Sequence, residues 1–279
     1  MEIEFTKMEG LGNDFILLDN RNNIIAEKEY GSLAKRLCNR RFGIGADGII
    51  LSLNSKTHDI KFRIFNNDGS EAEMCGNGMR CFAKNVYEKN IISKKKLYVE
   101  TLAGVIVPEL IFEDDKISAV KVDMGEPILE NIDIPFVSDN KTSVSEKISI
   151  DNDLFEITTV SMGNPHAVLF VDSLDMDIEV IGKKIENYER FPKKTNVEFA
   201  YVENRNCINM RVWERGAGET LACGTGACAV LVSANLNGLC DKSASIQLSG
   251  GNLIIKWGED NHIYKTGPAK LVFEGTIDI

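Results

Sequence analysis

Two segments of this 279-residue sequence, 148 positions apart, are near-copies of one another, and each carries a cysteine followed directly by Gly-x-Gly. The first runs from Arg63 to Gly78 (RIFNNDGSEAEMCGNG) and the second from Arg211 to Gly226 (RVWERGAGETLACGTG). Aligned without a gap, they agree at Arg63/Arg211, Glu71/Glu219, Cys75/Cys223, Gly76/Gly224 and Gly78/Gly226. Ordinary residue usage gives about one chance identity over such a stretch. Ile64-Phe65 against Val212-Trp213 adds two conservative apolar matches. A duplicated strand–loop–Cys–helix unit confines the chain to two similar halves, with one thiol at an equivalent place in each.

The repeat extends beyond the cysteine units. Gly12-Asn13 before FILLD echoes Gly163-Asn164, which precedes Pro165, His166 and AVLFVD. Around these landmarks the sequence offers many short β-branched runs and few helices. The predicted strands of the first half are Glu2–Lys7, Phe15–Asp19, Gly48–Leu53, Asp59–Phe65, Leu97–Thr101, Val105–Ile111 and Ile117–Asp123. Those of the second half are Phe155–Val160, His166–Val171, Val197–Val202, Ile208–Trp213, Ser245–Leu248, Leu253–Trp257 and Lys270–Ile277. Helices are predicted over Tyr30–Asn39, Gly76–Glu88, Gly224–Asn237 and Asp177–Asn187. The implied class is α/β (α+β): two pseudo-symmetric domains, each a curved, mostly antiparallel sheet wrapped around a Cys-headed helix. The boundary falls near Gly125-Glu126-Pro127, separating an N-terminal half (1–124) from a C-terminal half (125–268). Asn131–Asp151, rich in Ser, Asp, Asn and Lys, reads as a surface connection.

A formal charge of −10 argues against nucleic acid or an anionic membrane as a partner, because both need a basic surface. The start, MEIEFTKMEG, lacks a basic region followed by an apolar one, and no apolar run approaches the ~20 residues of a membrane span. Seven cysteines, an odd number, fit a reduced cytoplasmic compartment. None of their spacings is C-x2-C, the strongest zinc cue. In the pairs Cys75/Cys81 and Cys223/Cys228, about 100° of turn per helical residue points the second thiol well away from the first, so no metal site is expected. A non-catalytic zinc- or amino-acid-binding protein is the reading from another class, and duplicated thiols have no obvious purpose in it.

Cys-Gly-x-Gly ahead of a helix is suited to thiol acid–base chemistry. The cysteine sits where free N–H groups and the helix dipole favour thiolate. The glycines clear the way for a ligand to reach the same amides. If two such helix starts face one cleft, the backbone N–H groups of Gly76, Asn77, Gly224 and Thr225 hold a substrate carboxylate, and Cys75 and Cys223 flank the adjacent carbon. Charge developing on that carboxylate is then stabilised by both helix ends. One thiolate removes the α-proton and the opposing thiol delivers one, inverting the centre without a cofactor. Glu214-Arg215 suit an ammonium and a carboxylate, with Asn66-Asn67 at the equivalent places in the first half. His166, beside Asn164, is placed to tune a thiol.

These motifs resemble those of the diaminopimelate epimerases over essentially the whole chain. The resemblance rests on GLGNDF (10–15), RRFGIGADG (40–48), FNNDGSEAEMCGNGMRC (65–81), MGNPHAV (162–168), TNVEF (195–199) and WERGAGETLACGTGACA (213–229). It implies interconversion of LL- and meso-2,6-diaminopimelate in lysine and peptidoglycan precursor biosynthesis, with no pyridoxal phosphate or metal. It also implies a C-terminal strand, 269–279, that returns to the first domain, and a homodimer as a common state. Carried over, Cys75 and Cys223 are the acid–base pair, and Gly76-Asn77 and Gly224-Thr225 hold the reacting carboxylate. Asn13, Asn66, Asn164, Asn196 and Arg215 fix the ligand, Arg215 at the distal carboxylate, while His166 and Glu214 adjust the thiols. Some members carry Gln where Gly48 stands, so any contact of that amide is absent or replaced in this chain. The rival on the same scaffold is a racemase or epimerase of another amino acid, such as histidine or lanthionine.

Overall fold

The computed structural model describes residues 2–151 and 153–278. The chain divides into two compact units, Met1–Asp123 with Thr266–Ile279, and Met124–Lys265. In chain order the first half contributes β1 (Glu2–Gly10), β2 (Asn13–Asp19), α1 (Tyr30–Leu37), β3 (Gly48–Leu53), β4 (Ile60–Asn66), β5 (Glu71–Ala72), α2 (Gly76–Glu88), β6 (Val99–Thr101), β7 (Gly104–Ile106), β8 (Glu109–Glu113) and β9 (Lys116–Asp123). There follow β10 (Glu146–Ile150), β11 (Asp153–Ser161), β12 (Pro165–Phe170), α3 (Ile178–Glu186), β13 (Asn196–Asn204), β14 (Cys207–Glu214), β15 (Gly218–Thr220), α4 (Gly224–Leu236), β16 (Ser243–Leu248), β17 (Gly251–Trp257), β18 (Ile263–Gly267) and β19 (Lys270–Asp278).

The duplication seen in the sequence is a duplication of topology. The first sheet runs β19-β1-β2-β3-β4-β6-β7, and the second contains β10-β11-β12-β13-β14-β16-β17 in the matching order. Both are mostly antiparallel, as expected. Each has its parallel pairings at corresponding places, β2/β3 and β4/β6 in one and β12/β13 and β14/β16 in the other. β5 adds to β4 as β15 adds to β14. The outer strand β19 pairs antiparallel with β1, from Glu2 opposite Asp278 to Glu9 opposite Lys270.

Each sheet curves around one helix. α2 packs against β1, β2 and β3 of the first sheet and also against β8 and β9, and α4 against β11, β12, β13, β16 and β17 of the second. The α4 sequence is small or apolar on every face, so it has no side to offer water, and every residue from Gly226 to Ala234 is buried. α1 and α3 lie on the outer face of their sheets, where they close two further apolar clusters.

Three expectations need correction. Val105–Ile111 is two strands, because Pro108 has no N–H for the ladder and β7 ends before it. Asn131–Asp151 is more than a connection: it holds β10, whose polar sequence buries only Ile148 deeply. β18 went unpredicted because Lys265, 1% exposed, occupies an inward position and hides the alternation of IYKTG.

Candidate active site

In the first unit, β4 turns through Asn67–Gly69 into β5, and the chain then enters α2 at Cys75. Gly69 makes the turn possible with φ 82°, a conformation costly for other residues. Arg63 on β4 clamps Glu71 on β5, Nε to Oε1 at 2.5 Å and Nη2 to Oε2 at 2.8 Å. Cys75 is the N-cap of α2, with an extended backbone, and its sulfur accepts the Gly78 N–H at 3.4 Å. That sulfur also lies 3.7 Å from Asn13 Oδ1. Asn13 Oδ1 accepts from Asn77 Nδ2 at 3.4 Å, and Asn77 Oδ1 accepts from the buried Arg80 at 2.9 Å. Asn66, the last residue of β4, is exposed and donates to Ser70 Oγ at 3.0 Å.

Asp47 anchors this group. Its Oδ2 accepts Asn13 Nδ2 at 2.7 Å, and its Oδ1 accepts Arg40 at 2.8 Å. Arg40 also reaches both oxygens of Asp14, which Lys7 contacts at 2.8 Å. Burial works to raise the Asp14 carboxyl, but Arg40 and Lys7 outweigh it and hold the carboxyl down at about 2. Gly48 follows at the start of β3, opposite Asn66, where a Cβ would come 2.7 Å from the Phe65 carbonyl oxygen. A glutamine therefore does not fit this backbone.

The second unit repeats the construction with different chemistry. Arg211 clamps Glu219 at 2.8 and 3.0 Å and also donates to the carbonyls of Leu174 and Met176. Cys223 caps α4, and its sulfur accepts the Gly226 N–H at 3.4 Å and lies 3.5 Å from Thr225 Oγ1. Gly76 and Gly224 open the two helices as half-buried residues. Cys223 itself is only 5% exposed. Burial, with Glu214 and then Glu198 adding to it, pushes this thiol well above its usual range, against the helix N–H and the Thr225 hydroxyl. At Cys223 the pull of the helix start is therefore outweighed by enclosure and by the neighbouring carboxyls. Glu214 accepts the Thr220 hydroxyl.

His166 is fully buried, with Nδ1 2.6 Å from Glu198 Oε1 and Nε2 3.0 Å from Asn164 Oδ1. Asn196 is spent on the backbone: Nδ2 donates to the Pro165 carbonyl and Oδ1 accepts the Arg215 N–H, both at 2.9 Å. It fixes where the Arg215 loop begins. Arg215 is exposed and donates through Nη1 to the Lys193 carbonyl at 2.9 Å.

Thus Cys75, Asn13, Asn77 and Gly78 form one linked group, and Asn164, His166 and Glu198 another. Asp47 and Glu198 are the residues that sequence reasoning missed. Glu198 carries a signal that was readable: it is the one carboxyl inside the apolar run Val197–Ala200 of the predicted strand Val197–Val202.

Comparison with known proteins follows the same lines. The family model described as diaminopimelate epimerase matches residues 5–130 and 158–272. A protein named diaminopimelate epimerase from Desulforapulum autotrophicum is 57% identical over 283 residues, covering 100% of both chains. One of the same name from Desulfitobacterium hafniense is 50% identical over 277 residues, covering 99% of this chain and 98% of that one. In fold, the chain resembles the crystal structure of a Bacillus anthracis phenazine biosynthesis protein at TM-score 0.70 and 16% identity, covering 100% of each. Matched by that model in both halves and by those relatives from end to end, the chain belongs to the diaminopimelate epimerase family.

Proposed function

We propose that this protein is an isomerase that interconverts LL- and meso-2,6-diaminopimelate by two-base proton transfer at the α-carbon, with Cys75 and Cys223 as the acid–base pair. The observation that carries this reading is that both cysteines cap helices of the same duplicated unit, each sulfur 3.4 Å from the N–H three residues on. Family membership supplies the substrate class, because the relatives are named for it.

In one direction the Cys75 thiolate takes the α-proton as S–H, and the electron pair of the C–H bond passes into the carboxylate as an enolate. The N–H groups of Gly76, Asn77, Gly224 and Thr225 hold that charge. Cys223, as the thiol that its burial favours, gives its proton to the other face of the carbon and becomes the thiolate. The reverse direction exchanges the roles. Asn13, Asn66, Asn164 and Arg215 hold the rest of the zwitterion, Asn196 sets the Arg215 loop, and Glu214 and His166 tune the thiols. No cofactor enters the scheme.

The product serves lysine and peptidoglycan precursor synthesis in the cytoplasm, a placement supported by seven cysteines that stand as thiols rather than disulfides. A homodimer is supported by the outer strand β19, which leaves Leu271, Val272 and Phe273 about half exposed.

The test is incubation of the reduced protein with LL-diaminopimelate in heavy water, following α-proton loss by NMR, with Cys75→Ala and Cys223→Ala in parallel. Exchange with inversion in the wild type, and loss of inversion in both variants, is expected. Inversion surviving in either variant would end the two-thiol scheme, and exchange with histidine or lanthionine alone would move the substrate.

A further inference from the structure

The two units repeat one another closely around their thiols, and one pair of positions breaks the repeat. In the first unit the parallel register sets Phe15 beside Gly48 and Leu17 beside Ile50, and Ile50 faces Ile64 across the sheet. In the second, His166 stands beside Asn196, Val168 beside Glu198, and Glu198 faces Val212. Phe15 and Ile50 therefore occupy the places that His166 and Glu198 fill. The packing agrees: a Cβ on Gly78 would meet Ile50 Cδ1 at 3.0 Å, and one on Gly226 would meet Glu198 Oε1 at 2.6 Å.

An apolar pair in one unit is thus an ionisable pair in the other, with both side chains wholly buried. Burying such a pair costs more than an apolar pair of similar volume, so stability does not explain it. The neighbouring asparagines differ to match. Asn13 turns its NH2 group to Asp47, which can only accept, and so presents its carbonyl oxygen to Cys75. Asn164 has its carbonyl oxygen taken by His166 Nε2, which leaves its NH2 group available.

We propose that Glu198 is a positioning residue that acts through His166 to hold the Asn164 amide with its NH2 group turned to the ligand, a role that rests on the epimerase reading above. For Nε2 to donate to Asn164 it must carry hydrogen, and one proton shared between Nδ1 and Glu198 Oε1 provides for this. The pair is then neutral overall, whether the proton rests on the carboxyl or on the ring. Burial raises the Glu198 carboxyl, His166 opposes that rise, and Glu214 adds to it. Cys223 is the other titratable group on this side, and Glu198 and Glu214 bear on it in turn. Glu198 Oε2 has no hydrogen-bond partner among the described residues, which a neutral carboxyl tolerates better than an anion.

The experiment uses full-length protein with 15N-labelled histidine, since there are only three: His58, His166 and His262. His166→Asn identifies the signal. In ligand-free wild type at neutral pH, Nε2 of His166 is expected to resonate as a protonated nitrogen. Glu198→Ile, the residue of the other unit, is expected to mix the ring tautomers and raise KM about tenfold, with a smaller change in kcat than in KM. Glu198→Gln, whose amide can still donate to Nδ1, restores most of the affinity. Glu198→Ile combined with Asn164→Ala is expected to be no worse than Asn164→Ala alone. A lone-pair Nε2 in the wild type overturns the proposal, and so do losses that multiply in the double variant. If the wild type does not turn over diaminopimelate, the epimerase reading falls while the nitrogen spectrum still decides the state of His166.

Discussion

Arg211 holds Glu219 through two parallel contacts, Nε to Oε1 at 2.8 Å and Nη2 to Oε2 at 3.0 Å, and Arg63 holds Glu71 in the same two-pronged way. Each brace spans the turn that leads into a Cys-capped helix. Lysine keeps the charge but cannot make the planar fork. Arg211→Lys also surrenders donations to the Leu174 and Met176 carbonyls. We expect it to lose about 1–2 kcal/mol in urea unfolding and to lower kcat/KM several-fold. An unchanged unfolding midpoint would show that the brace is idle.

The glycines three residues after the cysteines are not equally replaceable. At Gly78 an added Cβ presses on Ile50 and Ile64 methyls at 3.0 and 3.4 Å, which can shift slightly. At Gly226 it meets Glu198 Oε1 at 2.6 Å and Cys223 Sγ at 3.3 Å, and Glu198 is pinned by His166. Gly78→Ala recovers up to about 1 kcal/mol of helix propensity against that crowding, so it is expected near neutral. Gly226→Ala is expected to lose about 2–3 kcal/mol and most activity. Thermal unfolding of the two proteins side by side checks the order, and equal losses would refute it.

Asp47 is 41% exposed at its side chain, so its removal should hardly affect folding. It nevertheless fixes the Asn13 amide. Asp47→Ala is expected to raise KM about tenfold while changing stability by less than about 1 kcal/mol. Steady-state kinetics beside a melting curve would separate the two effects, and an unaltered KM would remove Asn13 from ligand binding.

Cys81, wholly buried in α2, links pH to stability. Burial lifts its thiol from the usual 9.0 to about 12. Below pH 9 both the folded and unfolded chains keep the proton, and the contribution is present in full. Above it the unfolded chain ionises first, so stability falls by about 1.4 kcal/mol per pH unit until the folded thiol also titrates. Urea unfolding at pH 8 and pH 10 should show a steeper loss for wild type than for Cys81→Ala. Parallel losses would mean that Cys81 is not the group responsible.

Much of this was legible in advance. The Arg…Glu…Cys-Gly-x-Gly repeat located both helices and both thiols, because turn glycines and helix starts are dictated locally, whereas the pairing of its Arg with its Glu emerges only in the structure. The limits of α2 and β3 were read to the residue. What escaped depended on tertiary register. Asp47 meets Asn13 only because β2 and β3 run parallel, bringing residues 34 apart together. Glu198 meets His166 across β12 and β13 for the same reason. The Cys223 thiol was expected to be lowered by its helix, a local effect, but its enclosure and the neighbouring Glu214 and Glu198 come from elsewhere in the fold.

The pairing of β19 with β1 also sets an order of events during synthesis. The second unit is encoded by one continuous stretch, outer strand β10 included, and can close as soon as that stretch is available. The first unit leaves the ribosome with the far side of β1 unpaired, and its missing strand is encoded only after the entire second unit. The half that is made first is therefore completed last, and until then β1 offers an open edge that a chaperone or a neighbouring nascent chain can reach.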